Sequence, residues 1–211
     1  MPFVGTAELK ALEDRLLEIE IKYIAPHSNP TASPSAYLLD LQSYAILAHA
    51  AFEEYIELIC KKVAEETFVL FKTAHKLSFT TICMLHFIDR RDSPKNWTDF
   101  DRIYSRLLTC LGEARNKLSK LADDNNGMNL NYLKNLLIPV GLEIPHTVKE
   151  IGSFDKLARY RGDFAHRSTI ALSVIPTPSD VVNVVEDVLG YMNSLDKQAR
   201  SIEYFKFTPI N

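Results

Sequence analysis

Along most of the chain, apolar residues return at intervals of three and four, the period of an amphipathic α-helix. Over residues 6–24, Leu9, Leu12, Leu16, Ile19 and Tyr23 alternate with Glu, Lys and Arg. The stretch 25–34 holds three prolines among small polar residues, a composition that favours turns and ends the first helix. From Ser35 a longer helix is predicted, because Leu38, Leu41, Ala45, Ala48, Phe52, Tyr55, Ile59 and Val63 keep the same spacing. A sustained seven-residue apolar repeat packs lengthwise along other helices. Glu53, Glu54, Glu57, Glu65 and Glu66 fall mostly off that stripe and are expected in solvent.

The pattern continues to the C-terminal end. A further apolar helix is predicted around 73–88, then a polar loop, 89–97, that carries Arg90, Arg91, Lys95 and Trp97. Thr98 or Asp99 can cap the next helix, with Phe100, Ile103, Leu107, Leu108, Leu111, Leu118 and Leu121 facing inward. Residues 122–127 read as a turn, and Asn129 as the cap of a short helix ending near Pro139. Ser153, with Asp155 soon after it, suits the start of a helix running to about Arg167. Ser179 suits the cap of a last helix over 180–199, and the tail from Tyr204 reads as extended. The expected fold class is all-α, with residues 1–211 forming a single helical domain. The chain is 46% hydrophobic and 24% charged, so a sizeable core can be buried. Its 7 glycines are scattered, which disfavours a hairpin-rich architecture.

The formal net charge of −3 narrows the function classes. A protein that grips nucleic acid by neutralising many phosphates carries a strong basic excess. Any RNA contact here must come from a local basic patch or be brief. The first fifteen residues lack a basic segment followed by an apolar run, so they do not read as a signal peptide. The most apolar window, 68–88, is interrupted by Lys72, His75 and Lys76, and a span needs roughly 20 uncharged apolar residues. It reads as buried helix, and no membrane association is expected. Cys60, Cys83 and Cys110 are odd in number and far apart, which fits reduced, mostly buried thiols in a cytoplasmic protein.

The segment richest in candidate chemistry is 157–167, Leu-Ala-Arg-Tyr-Arg-Gly-Asp-Phe-Ala-His-Arg. On a helix turning about 100° per residue, Phe154, Leu157, Tyr160, Phe164 and Ala165 cluster on one side. His166 then points away from that side, beside Arg159. Arg161 starts nearer the core edge, where Gly162 can loosen the helix. Asp163 lies four residues from both Arg159 and Arg167 and can tie either down. Taken by spacing alone, this is a solvated face with an ion ladder and an exposed histidine.

Arg161-Gly162-Asp163-Phe164-Ala165-His166 resembles the Arg-x4-6-His signature of the HEPN superfamily, often written Arg-Asn-x-x-Ala-His. The long helix over 43–57 and the closing Pro-Thr-Pro-Ser-Asp helix are similar to those of RiboL-PSP-like members. The resemblance covers roughly 36–199 as a HEPN-like core, with 1–34 as an added helix and turn and 200–211 as a tail. Gly162 departs from the pattern, since Asn, Asp or His commonly follows the arginine. Arg159 also fits the looser spacing to His166, so two arginines compete for one role.

The resemblance implies a metal-independent endoribonuclease, a toxin or phage-defence effector, with Arg161 on the scissile phosphate and His166 as general acid or base. Arg159 and Asp163 would support them, and Arg167 and Lys156 would bind RNA. The implied partners are RNA, a second copy of the chain and an antitoxin protein, and no cofactor is implied. In relatives paired with a nucleotidyltransferase antitoxin, a tyrosine two residues after the histidine is modified, and here that position is Ser168. The alternative is a HEPN-like module without catalysis that binds a partner protein or a nucleotide. Cys83-Met-Leu-His86 has a metal-like spacing, but no second pair accompanies it, so no metal site is expected. His49 and Glu53 sit one turn apart as an ordinary helix pair or as support for the site, and the 89–97 loop is a surface turn or an RNA clamp.

Overall fold

The structure is a computed structural model that describes residues 6–27, 33–88, 100–124, 127–166 and 175–206, and at 100–102 and 163–166 the helical backbone alone. Seven α-helices run through these residues: α1 (Ala7–Tyr23), α2 (Pro34–Ala74), α3 (Phe79–Phe87), α4 (Phe100–Asp124), α5 (Leu130–Leu137), α6 (Val148–His166) and α7 (Pro178–Arg200). Two short strands, β1 (Lys76–Leu77) and β2 (Phe205–Lys206), pair antiparallel with Leu77 opposite Phe205. The all-α expectation holds, and β2 falls in the tail expected to be extended.

The chain forms two compact units. One comprises Met1–Ile56, Asn126–Tyr132 and Pro145–Lys197. Its buried residues come from α1 (Leu9, Leu12, Leu16, Ile19), the first half of α2 (Leu41, Tyr44, Ala45, Ala48, Phe52, Tyr55), α6 (Phe154, Leu157) and α7 (Val181, Val185, Val188, Met192, Leu195). Asp196 is fully buried in this unit and accepts from the Thr6 hydroxyl at 2.5 Å, the Thr6 N–H at 3.3 Å and the Tyr55 hydroxyl at 3.3 Å. Thr6 in turn caps α1 by accepting from the Leu9 N–H at 3.1 Å. One buried carboxylate thus anchors the helix cap and satisfies a buried phenol.

The other unit comprises Glu57–Asn125, Leu133–Ile144 and Gln198–Asn211. Ile59, Cys60, Val63 and Phe71 of α2 are buried there, with Met84 of α3 and Leu111, Ala114 and Leu118 of α4. Ser78 and Thr81 form a reciprocal capping box at the start of α3.

Several boundaries differ from the sequence expectation. The helix expected around 73–88 is the end of α2 and then α3, because the chain breaks at His75, whose φ of 49° no helix accommodates. α6 starts at Val148, not Ser153. Thr147 caps it by accepting from the Glu150 N–H, and Glu150 reaches back to the Thr147 N–H at 3.0 Å. α7 starts at Pro178 with Thr177 as its cap, not Ser179, and Asp180 closes the reciprocal bond at 2.9 Å. Asn129 caps α5 as expected. Of the α2 glutamates, Glu54, Glu65 and Glu66 are exposed, whereas Glu53 and Glu57 are only half-exposed. Of the cysteines, Cys60 is buried and Cys83 and Cys110 are half-buried. The 89–97 loop and the Thr98 or Asp99 cap lie outside the described residues.

Candidate active site

The Arg–His segment is carried by α6, so the site begins with what fixes that helix. Phe154 and Leu157 bury its inner side, and the Phe154 ring meets Tyr191 of α7 edge-on at 5.3 Å and 86°. Ser153 lies inside the helix and donates to Asp187 of α7 at 3.0 Å, and Lys149 pairs with the same carboxylate at 2.7 Å. The Lys149 hydrogen bond, with a smaller one from Ser153, holds the Asp187 carboxyl below its ordinary range.

The helix continues through Gly162 to His166. Gly162 therefore does not loosen the backbone, contrary to expectation. Among the described residues, nothing outside the helix's own backbone lies within 4 Å of where a Cβ would sit at this position, so neither the helical backbone nor the described packing demands glycine there.

The two arginines differ in setting. Arg159 is exposed and Arg161 is half-buried. The Arg161 charge acts on His49 of α2, a residue 2% exposed whose pKa is lowered to about 4, first by burial and then by that charge. His49 is thus neutral at physiological pH. The Glu53 carboxylate is 3.7 Å from its Nδ1, too far for a hydrogen bond, and accepts instead from the Gly127 N–H. The electrostatic influence of Arg161 on His49 is not part of the sequence expectation. Its signal was present in the sequence, since His49 stands on the apolar stripe of α2 between Ala45 and Phe52.

Lys156 is exposed on α6 and lines a groove toward α7. Arg161, His166, Arg159, Asp163 and Lys156 all share α6. The side chains of Asp163 and His166, and all of Arg167 and Ser168, lie outside the described residues, as do the ion ties expected of Asp163. Cys83 is half-buried and His86 exposed, and among the described residues no three His, Cys, Asp or Glu side chains gather as a metal site. Burial pushes the Cys83 thiol up. No described helix is long and apolar enough to cross a membrane.

A protein-family model described as RiboL-PSP-HEPN matches residues 10–201. No curated protein and no solved structure matches the chain.

Proposed function

The chain belongs to the RiboL-PSP-HEPN family, and from that membership we propose that it is a metal-independent endoribonuclease. The observation that carries this reading is Arg161, half-buried and acting electrostatically on the neutral His49, on the helix that carries His166. A guanidinium with limited exposure loses less binding energy to competing water than an exposed one.

In the proposed reaction the ribose 2′-oxygen attacks the adjacent phosphorus and the 5′-oxygen departs. One group must take the 2′ proton and another must give a proton to the leaving oxygen. His166, with a free pKa near 6.5, can do either at neutral pH. Arg161 binds the planar oxygens of the phosphorane, whose charge exceeds that of the ground state. The motif supplies one histidine per chain, so a two-fold dimer would bring the second proton-transfer group and a second arginine into one cleft. Arg159, Lys156 and Arg167 would hold the flanking phosphates, and Asp163 would orient the arginines. The biological setting we assign is a cytoplasmic toxin or phage-defence effector restrained by an antitoxin protein.

A second reading is favoured by Gly162. The family's usual polar side chain after the arginine is missing, and no described residue packs against the position of its Cβ. A HEPN-like module that binds a protein or nucleotide without cleaving RNA would tolerate that loss. Purified protein incubated with total RNA and EDTA decides between them. The ribonuclease gives 2′,3′-cyclic phosphate and 5′-hydroxyl ends, and His166→Ala abolishes them. Intact RNA, or ends bearing 5′-phosphate, would overturn the mechanism.

A further inference from the structure

We propose that the groove between α6 and α7 seats one nucleotide of single-stranded RNA and favours a base carrying an exocyclic amino group. The inference rests on the ribonuclease reading in that it makes the groove part of the same substrate path.

The groove has a volume of about 380 Å³, within the range of small-ligand sites, about 300–1,000 Å³. Its lining combines the half-buried Tyr160 ring and buried Pro176 with Lys156, Asn183, Asp180 and Asp187. Tyr160 and Pro176 give the lining apolar and aromatic surface of the kind on which a base stacks, whatever its sequence.

The polar groups then select among bases. Asp180 accepts from the Thr177 N–H at 2.9 Å and from its hydroxyl at 2.7 Å, both on Oδ2. These bonds hold its carboxyl below the ordinary range, and both fall on Oδ2, so among the described residues Oδ1 keeps its acceptor capacity. Asp187 uses one oxygen for Lys149 and the other for Ser153, and each carboxylate oxygen can accept a second bond. An ionised carboxylate accepts from the amino group of cytosine or adenine and repels the keto oxygen that uracil presents there. The Asn183 amide can donate and accept beside them.

Lys156 acts electrostatically on both Asp180 and Asp187, so it stands near the two carboxylates. With Lys149 on Asp187, two cations balance two anions. A neutral groove does not clamp a polyanion, but it accommodates one base with Lys156 available to a single phosphate. Tyr160 precedes Arg161 directly, and helical rise puts it about 9 Å along the axis from His166. At about 100° per residue Tyr160 is also about 120° around the axis from His166, so a base seated here belongs to a nucleotide flanking the scissile one on an adjoining face of α6.

The test uses the full-length chain as His166→Ala, so that no cleavage disturbs binding, with fluorescently labelled tetracytidylate and tetrauridylate. Anisotropy titrations should show tetracytidylate binding at least about tenfold tighter. Asn183→Leu, which fills the groove from an exposed helical position, should bring tetracytidylate down to the tetrauridylate level. Asp180→Asn should erase the preference as well, with far-UV circular dichroism reporting that both variants fold. Equal affinity for the two oligonucleotides, or a preference that survives Asn183→Leu, overturns the proposal. CMP binding as tightly as the tetramer would also overturn it, by making the occupant a free nucleotide. Cleavage is scored separately on the chain with His166 intact. A base preference without cleavage sustains the groove and sinks the ribonuclease reading, whereas cleavage without a base preference does the reverse.

Discussion

At the scale of single residues, the two arginines and His49 set the sharpest expectations. Losing a guanidinium that contacts a transition-state oxyanion costs on the order of 10²–10³-fold in rate. Arg161→Ala should lower turnover by about that factor while leaving RNA affinity nearly unchanged. The exposed Arg159 should act through phosphate affinity, so Arg159→Ala weakens binding and flattens its salt dependence. Single-turnover rates on one model RNA separate the two, and a dead Arg159→Ala enzyme beside an active Arg161→Ala would reverse the roles. His49 makes a pH prediction. Its folded pKa is about 4 and its ordinary value 6.5. Below pH 6.5 the unfolded chain therefore takes up a proton that the folded chain refuses until about pH 4. Stability falls across that window, by on the order of 3 kcal/mol for this group. Denaturant midpoints of wild type and His49→Gln, measured between pH 7 and 4.5, should diverge accordingly, with the variant losing less.

At the scale of elements, α6 is decided at its two ends. Its start is a local matter, the reciprocal bonds of Thr147 and Glu150. Thr147→Ala should cost about 1 kcal/mol by leaving helix-end donors without their partner. Further along, Gly162 is helical, and no described residue packs against the position of its Cβ. Gly162→Ala should stabilise the chain by about 0.5–1 kcal/mol, since alanine loses less backbone entropy than glycine on entering a helix. Thermal unfolding checks both substitutions, and destabilisation by Gly162→Ala would mean that the space is not open. Ser153 and Ser179 carry cap chemistry as good as that of Thr147 and Thr177. Ser153 is excluded because its hydroxyl is spent on Asp187 across to α7. The Thr-x-x-Glu and Thr-Pro-x-Asp boxes were legible, but several hydroxyls competed for each start.

At the scale of the whole molecule, the proposed chemistry requires a second proton donor or acceptor. Symmetric association through the face carrying His166 would supply it. Light scattering at micromolar concentration should report a dimer, and a monomer with full activity would contradict the arrangement. The buried Asp196 offers a measure of global stability, since it joins α1 to α2 and α7 through Thr6 and Tyr55. Asp196→Ala should lower unfolding free energy by about 3 kcal/mol, because two hydroxyls and an N–H lose their buried acceptor.

The sequence by itself determined the helical class, the span of α1, the buried stripe of α2 and the cap of α5. These follow from period and capping chemistry, which act between residues three or four apart. It also presented Arg161 and His166 at a spacing that resembled the family to which the chain belongs. Only the tertiary structure decided which polar residues on apolar stripes would matter. Asp196 meets Thr6 across 190 residues and Tyr55 across 141, and the charge of Arg161 acts on His49 of another helix. Likewise Leu77 pairs with Phe205. No local period encodes such meetings, because they depend on which helix faces are buried against each other, and burial is what turns a hydroxyl, a carboxylate or an imidazole from a solvated group into one that must find a partner.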